Sequence, residues 1–407
     1  MSALLYWLGL GTVGTSLFVA LNAAATYGAF RLAVGSQDGG EWAWWRWILA
    51  LAVIANPVVF TYVGIVWKDV LLGSLCAASL GLSIAALHQS RGARLGFAVL
   101  ALAMLLPIPL VRQQGIVLLP LFAISPAYLV IQAGWRTPGR RRIAGLAVLA
   151  GVVLGYLGVR AAVEASFEKN ATGSIYTAQG DDVSIGTRLI KRYDLAGIEV
   201  RAEGAGPLSR SGAGSEALAQ LHDRYTGERI DTLGSPAIQS MFEQVETSGE
   251  GDAWANAVAD HPAAYIAHRL SAFSWLLGFE DPWRCLPVHV GTDGIPEYLA
   301  ESGFRPEQEA RDSRLFSLVK PLVATPLWRH WFYIGLGLVL AVLVWRRDPE
   351  TRWTLLPWIA GLGVFVGGYL PTSIACDFRY LYLLVPCSAL LALALLRPQS
   401  PIRERCR

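Results

Sequence analysis

Long apolar stretches separated by short polar connections make up the chain as far as Val163. A polar stretch begins at Glu164, and long apolar stretches return only near Trp328. Because a helix needs about 20 apolar residues to cross a bilayer, this pattern predicts an all-α integral membrane protein, a polytopic bundle with one large insert. The predicted membrane-spanning helices cover residues 4–32, 48–66, 70–87, 95–110, 116–133, 143–163, 331–344, 355–370 and 381–396.

The pattern divides the chain into N-terminal transmembrane helices (1–163), an insert (164–326), and C-terminal transmembrane helices with a tail (327–407). Basic residues in short connections mark the cytoplasmic side of a membrane protein. We therefore expect the insert, and the N-terminus with it, on the outer side. The arginines that fall together on the predicted cytoplasmic side are Arg91, Arg94, Arg136, Arg140, Arg141, Arg142, Arg346, Arg347, Arg352, Arg397, Arg403, Arg405 and Arg407.

Composition supports a membrane protein, since 54% of the residues are hydrophobic and only 16% are charged, against about 25% charged in ordinary soluble domains. The formal net charge of +3 is unevenly distributed. Residues 164–320 carry 14 Lys and Arg against 24 Asp and Glu, a net charge of −10, so the rest of the chain carries +13. This asymmetry bears on topology and gives no indication of nucleic-acid binding. The preference for Arg over Lys is typical of a bacterial chain, and we expect the bacterial cytoplasmic (inner) membrane.

Two outer hairpins carry charged residues beside the hydrocarbon. Asn56-Pro57 interrupts the second predicted span, and Lys68-Asp69 precedes the third. Charged groups at membrane depth are costly and usually face protein or a water-filled cavity. The alternative is that Lys68 and Asp69 form a pair with no net charge, and that their side chains extend to the membrane–water interface.

The second hairpin contains Arg112 and Gln113 between a proline-terminated helix and Gly115. A guanidinium at this outer position is suited to gripping a phosphate with two parallel hydrogen bonds. Anchoring at the membrane interface is the competing interpretation.

The insert contains a segment in which His261, Tyr265 and His268 fall on one helical face, with Arg269 next to them. We predict an interfacial helix near residues 262–278 that lies on the outer leaflet without crossing it. Two histidines at this spacing suggest a metal, but no carboxylate completes a zinc-ligand pattern. A divalent metal at Asp181-Asp182 is likewise supported by no ligand spacing.

The last outer loop, residues 371–380, enters the final span with Asp377, Arg379 and Tyr380. An Asp and an Arg two residues apart at a helix start favour an anion site oriented by its own carboxylate. A structural Asp–Arg pair that caps the helix is an equal alternative.

Cys285 and Cys376 both lie on the outer side of the membrane in this topology, where a disulfide is chemically permitted.

The order of these motifs resembles that of bacterial polytopic glycosyltransferases of the C-type superfamily (GT-C), which use polyprenyl-phosphate sugars at the outer membrane face. The resemblance extends loosely over the whole chain. The segments that carry it are the interrupted helix before Lys68-Asp69, the hairpin with Arg112 and Gly115, Tyr193-Asp194-Leu195-Ala196-Gly197-Ile198, the His261 to Arg269 segment, and Asp377-Phe378-Arg379-Tyr380.

The resemblance implies a glycosyltransferase that moves a sugar from a polyprenyl-phosphate donor to a glycan, lipid or protein acceptor. The candidate cations for the lipid phosphate are Lys68, Arg112, Arg269 and Arg379, and the candidate bases are Asp69, Asp377 and the Asp181-Asp182 pair. Further candidates for binding the lipid phosphate or the substrate are Gln113, His261, Tyr265, His268 and Tyr380. The family places a catalytic acidic residue in a first external loop, which this sequence lacks. We expect either an N-terminally truncated sequence or a misjudged first span.

Other classes of function stay open. An O-antigen-type polymerase or ligase shares the lipid-linked substrate and the large external loop. A transporter or flippase is expected to have charged residues in the middle of its spans and repeats that contain broken helices. A non-enzymatic scaffold would not explain the charged residues at three separate outer hairpins.

Overall fold

The computed structural model describes the chain except for residues 1, 10, 36–42, 88, 135–137, 169–181, 204–205, 248–252, 293, 295, 302 and 398–407. Across the described residues the structure is helical, with two isolated bridges and no strand. The predicted all-α fold class is therefore confirmed. The α-helices are α1 (Ser2–Trp7), α2 (Gly11–Val34), α3 (Trp44–Ile54), α4 (Pro57–Val63), α5 (Lys68–Ala86), α6 (Arg91–Leu105), α7 (Ile108–Val111), α8 (Gly115–Gly134), α9 (Pro138–Glu168), α10 (Asp182–Arg201), α11 (Pro207–Arg210), α12 (Ser215–Arg224), α13 (Pro236–Thr247), α14 (Ala253–Asp260), α15 (Pro262–Leu277), α16 (Pro296–Glu301), α17 (Ala310–Val319), α18 (His330–Arg347), α19 (Arg352–Thr372) and α20 (Leu384–Leu396). Short 3₁₀ segments cover Ile230–Leu233, Pro282–Cys285, Lys320–Leu322, Pro326–Trp328, Pro349–Thr351 and Phe378–Leu381.

Seven described helical segments are long and apolar enough to cross a membrane, and the bent pair α3 and α4 makes an eighth if it is one span. These segments indicate a multi-pass membrane protein. The predicted span 331–344 matches none of these segments. It lies inside α18, which packs against α20. The seven segments are Gly11–Val34, Lys68–Ala86, Arg91–Val111, Gly115–Gly134, Ile143–Ala165, Arg352–Thr372 and Phe378–Leu396.

The first predicted span, 4–32, needs correction because the structure divides it into α1 and α2. Gly9 and Gly11 both have positive φ, at 99° and 53°, a conformation that ends a right-handed helix and suits glycine. The uniform apolarity of this segment hides the break.

The predicted interruption at Asn56-Pro57 is present as a bend of 41° between α3 and α4. Pro57 begins α4, where its missing N–H costs no hydrogen bond. The Asn56 side chain caps the new helix by accepting a hydrogen bond from the Val58 amide at 2.9 Å.

The two ends of the bundle differ in charge. At one end, the arginine end, guanidinium groups bond the carbonyls that close helices: Arg91 donates to Gly134 at 2.8 Å and Arg94 to Ala86 at 3.2 Å. Arg347 donates to Leu395 at the same end. Cations are favourable at helix C-termini because of the helix dipole. The start of α5 and the end of α19 lie at the opposite end, here called the insert end.

The insert has its own apolar core, which includes Tyr193, Leu221, Phe242 and Ala272. Its helix α15 packs against α18 and α19 at the insert end of the bundle. Near the C-terminus of α15, the carbonyl of Leu276 is 2.6 Å from Nδ1 of His330 at the start of α18. Earlier in α15, Arg269 donates to the carbonyl of Ser373 just after α19, at 2.8 Å.

Residues 371–380, the end loop, are fastened to the insert at several points. The Ile230 amide donates to the Ile374 carbonyl at 2.9 Å, and a disulfide joins Cys285 to Cys376. The bond from Arg269 to Ser373 adds a third attachment. The insert therefore fixes the loop that carries Asp377 and Arg379.

Candidate functional site

Asp69 lies in the first turn of α5, the central helix, which packs against α2, α6, α8 and α20. Its side chain is only 4% exposed and forms an ion pair with Arg112. Nε of Arg379 lies 3.9 Å from the second carboxylate oxygen of Asp69. One carboxylate thus joins two arginines from loops that are far apart in sequence.

A tight turn after α7 presents Arg112. Its Nε donates to the side-chain carbonyl of Gln114 at 2.9 Å, which fixes the direction of the guanidinium. A β-carbon on Gly115 would overlap the backbone of Ile108, so this return requires glycine. Gln113, at the tip of the turn, is exposed to the surroundings.

The end loop presents Arg379, whose Nη2 lies 2.9 Å from a carboxylate oxygen of Asp377. The Arg379 side chain is 30% exposed, whereas that of Arg112 is 10% exposed. Asp69, Arg112, Asp377 and Arg379 form one connected group, here called the arginine–aspartate cluster. Arg379 is its more accessible cation.

Aromatic rings surround the two guanidinium groups. Arg112 lies over Tyr369 at 5.6 Å and over Tyr380 at 5.1 Å, while Arg379 lies over Trp67 at 4.5 Å. Tyr369 and Tyr380 stack with ring centroids 5.9 Å apart. These cation–π contacts hold the planar groups in fixed orientations.

The site presents cationic groups on its exposed side. The two aspartates of the arginine–aspartate cluster match its two arginines in formal charge, and the exposed Lys68 is adjacent to Asp69 in the sequence. A planar guanidinium offers several donors in a fork that matches phosphate or carboxylate oxygens. The geometry therefore suits recognition of an anion from the exposed side of Arg379.

His268 and Arg269 lie in a different group, inside the insert. Both are buried against Asp194, with His268 Nε2 at 3.3 Å and Arg269 Nε at 2.6 Å from the same oxygen. Trp254 donates to the other oxygen at 2.8 Å, and the Tyr225 hydroxyl lies 2.6 Å from Nδ1 of His268. This network supports a role in holding α10 against α15, and Arg269 contacts the end loop through the backbone carbonyl of Ser373.

The buried imidazole makes the stability of the insert depend on pH. Burial lowers the pKa of His268 below 6.5, although its hydrogen bond with Asp194 opposes the change. The unfolded chain therefore takes up a proton near pH 6.5 that the folded insert resists. We expect the free energy of unfolding to fall as pH drops below about 6.5, by at most about 1.4 kcal/mol per pH unit from this one group.

The measurement is denaturant unfolding of the purified chain at several pH values between 5 and 8. His268→Gln should flatten the dependence, and His222→Gln, at an exposed position in α12, is the matched control. An equal slope in the His268→Gln protein would contradict this origin of the pH dependence.

The other predicted residues of the insert are partly buried. His261 directly precedes α15, and Tyr265 lies one turn further along the chain. The Tyr265 side chain packs against the apolar core of the insert. Asp181 and the side chain of Asp182 lie outside the described residues. Within the described part of the chain, no group of three or more His, Cys, Asp or Glu is arranged to hold a metal ion.

Three aromatic residues of the site were not predicted from the sequence, namely Trp67, Tyr369 and His289. Trp67 directly precedes Lys68-Asp69, and its position at a helix start was the sequence signal that could have identified it.

Comparisons with protein-family models, with curated proteins and with solved structures find no match. The geometry of the site therefore carries the functional argument.

Proposed function

We propose that this protein is a membrane glycosyltransferase that moves a sugar from a polyprenyl-phosphate donor to a glycan, lipid or protein acceptor. The observation that supports it most is the meeting of Arg112 and Arg379 on Asp69 at the insert end of the bundle. We place this end on the outer face of the bacterial cytoplasmic membrane. No cofactor is required by the proposal, and membrane lipids surround the spans.

The location of the arginine–aspartate cluster favours an anion that belongs to a lipid. Asp69 lies in the first turn of one candidate span, and Arg379 lies at the start of another. In the proposal, both residues lie at the depth where a lipid headgroup meets the hydrocarbon. Asp69 and Asp377 orient the arginines by ion pairing. In the proposal, Arg379 and Lys68 take the phosphate of the donor from the exposed side.

The aromatic rings favour a donor that carries a sugar. Trp67 and Tyr380 each place a ring beside Arg379, and ligand sites commonly combine apolar and aromatic walls with a few fixed polar groups. A ring beside the phosphate site would support the sugar that is bonded to that phosphate.

The transporter alternative is less well supported. Among the described spans, the buried ionisable side chain Asp69 lies in a first turn, and the buried polar residues of the span interiors are neutral, such as Asn22, Thr26, Ser79 and Ser125. Transport of a charged substrate favours ionisable groups along the path. A polymerase or ligase that uses a lipid-linked glycan shares the donor chemistry and differs in its product.

The test is transfer by the full chain in lipid nanodiscs supplied with radiolabelled polyprenyl-phosphate sugars and a mixture of envelope acceptors. Arg379→Gln should weaken donor binding about 10- to 100-fold, since a hydrogen bond to a charged group contributes about 1.5–3 kcal/mol. Arg311→Gln, at a side chain 82% exposed in α17, is the matched control. Unchanged donor binding by Arg379→Gln, or no transfer of any sugar by the natural chain, would overturn the proposal.

A further inference from the structure

A second group of charged residues lies on the insert, beside the end loop. Glu228, Arg229 and Arg284, here called the arginine–glutamate group, come from two segments of the insert. Nε of Arg284 lies 2.5 Å from one carboxylate oxygen of Glu228, and Nε of Arg229 lies 3.7 Å from the other. The Glu228 side chain is only 8% exposed. One buried carboxylate therefore holds two guanidinium groups, as Asp69 does in the arginine–aspartate cluster.

Close packing against α15 places Glu228 in this position. A β-carbon on the preceding Gly227 would lie 2.5 Å from Oγ of Ser271 in α15, so the chain approaches this helix closely, which glycine favours. One turn further along α15, the centre of the Trp275 ring lies 5.6 Å from the guanidinium carbon of Arg284. The carboxylate and the aromatic ring together fix the orientation of this guanidinium.

The two arginines of the group differ in accessibility. Arg229 is 18% exposed, its Nη2 donates to the backbone carbonyl of Arg284, and its backbone forms a bridge with Ala375 of the end loop. Arg229 therefore fastens the segments together. Arg284 is 52% exposed, and its contact with Glu228 is made by Nε. The terminal nitrogens of the Arg284 fork are thus left on the exposed side.

The disulfide places Arg284 close to the arginine–aspartate cluster. Arg284 directly precedes Cys285 in the sequence. Asp377 directly follows Cys376, the partner of that cysteine, and the two cysteine Cα atoms are 5.0 Å apart. Because successive Cα atoms are about 3.8 Å apart, the Cα atoms of Arg284 and Asp377 lie within about 13 Å of each other. The two charged groups are therefore neighbours along the end loop.

We propose that Arg284 is an anion site that binds a phosphate or carboxylate group of an acidic acceptor, an inference that rests on the proposed transferase function. A transferase gains rate by holding its acceptor beside its donor in a fixed geometry. The exposed fork of Arg284 matches two oxygens of such a group. Residues 164–320 carry a net charge of −10, which disfavours acidic molecules over most of the insert. A held cation beside the end loop therefore determines where the acidic group binds.

The binding test uses the full chain in phosphatidylcholine nanodiscs, with radiolabelled inorganic phosphate and radiolabelled glucuronate as separate probes in equilibrium dialysis. All proteins carry Arg379→Gln, which reduces binding at the arginine–aspartate cluster. Against this background, Arg284→Gln should weaken probe binding about 10-fold, the lower end for a lost hydrogen bond to a charged group because the position is half exposed. Arg284→Lys keeps the charge without the fork and should recover only part of the loss. Arg311→Gln, at a side chain 82% exposed, is the matched control and should bind as the background protein does.

The transfer test compares the natural chain with Arg284→Gln, using acidic acceptors and the same acceptors with the acidic group esterified. Arg284→Gln should raise KM for the acidic acceptor about 10-fold. It should leave kcat, KM for the donor and KM for the esterified acceptor within about twofold, because the lost contact is made equally before and during the reaction.

The outcomes separate the two proposals. Probe binding that Arg284→Gln or Arg284→Lys leaves unchanged would show a surface charge without a built site and would overturn this inference, while the transferase proposal stands. Probe binding that depends on Arg284, in a chain that transfers no sugar, would refute the transferase function and the acceptor role together and leave the anion site itself supported. A preference for phosphate or for glucuronate identifies the acidic group that the acceptor carries.

Discussion

Replacing Asp69 with asparagine is expected to lower the free energy of unfolding by about 3–5 kcal/mol, because removing one partner of a buried ion pair leaves the other charge uncompensated. The affected charge is chiefly Arg112, whose side chain is 10% exposed. Arg379 keeps Asp377 as a partner and is 30% exposed, so solvent screens its share of the loss.

The measurement is denaturant unfolding in detergent micelles, followed by tryptophan fluorescence. Asp377→Asn is the matched control, with an expected loss of about 1 kcal/mol or less because its arginine is partly solvated. The double variant Asp69→Asn, Arg112→Gln should recover part of the stability, since it removes the orphaned charge. If Asp69→Asn proved no less stable than Asp377→Asn, Asp69 would not be the centre of the arginine–aspartate cluster.

The helices of the bundle follow largely from the apolar pattern, because length and hydropathy alone decide whether a segment is able to cross a bilayer. The bend at Asn56-Pro57 also has a local chemical cause, a proline at a helix start and a capping asparagine. The break between α1 and α2 was missed because Gly9 and Gly11 lie within a continuous apolar stretch. Backbone conformation, and not polarity, ends the helix there.

The site was predictable only in part. Charge sidedness places Asp69, Arg112 and Arg379 at the same end of the bundle, yet it does not show that they share one carboxylate. That contact depends on how α5, the turn before α8 and the end loop pack together. Sequence spacing did place His268 on one face of a helix with Tyr265, but the partner that buries it, Asp194, lies on another helix.

The position of His289 beside Trp67 could not be predicted from the sequence. Its neighbours are Val288 and Val290 within the polar insert, and no recognisable spacing relates it to Lys68-Asp69. It reaches Trp67 because Tyr62 holds the carbonyl of Pro287, which is 225 positions away in the chain. Such long-range packing is settled by the fold as a whole.

Loss of the disulfide between Cys285 and Cys376 is expected to lower the free energy of unfolding by about 2–5 kcal/mol, since the bridge restricts the unfolded chain most when it closes a long loop. The two cysteines are 91 positions apart. Cys376 directly precedes Asp377, so the double variant Cys285→Ser, Cys376→Ser should also bind a prenyl phosphate more weakly than the natural chain.

Thermal unfolding with and without a reducing agent tests this expectation. Reduction should lower the midpoint of the natural chain towards that of the double serine variant and leave the variant itself unchanged, because Cys76 and Cys387 are free thiols buried in the bundle. The bridge also reports on orientation, since disulfides persist outside the cytoplasm and are rare within it. Peptide mapping without reduction, on protein taken from cells, should recover residues 285 and 376 in one linked peptide. Two free, readily alkylated thiols at these positions would instead place the insert end on the reducing side of the membrane and contradict both the disulfide and the outward orientation of the site.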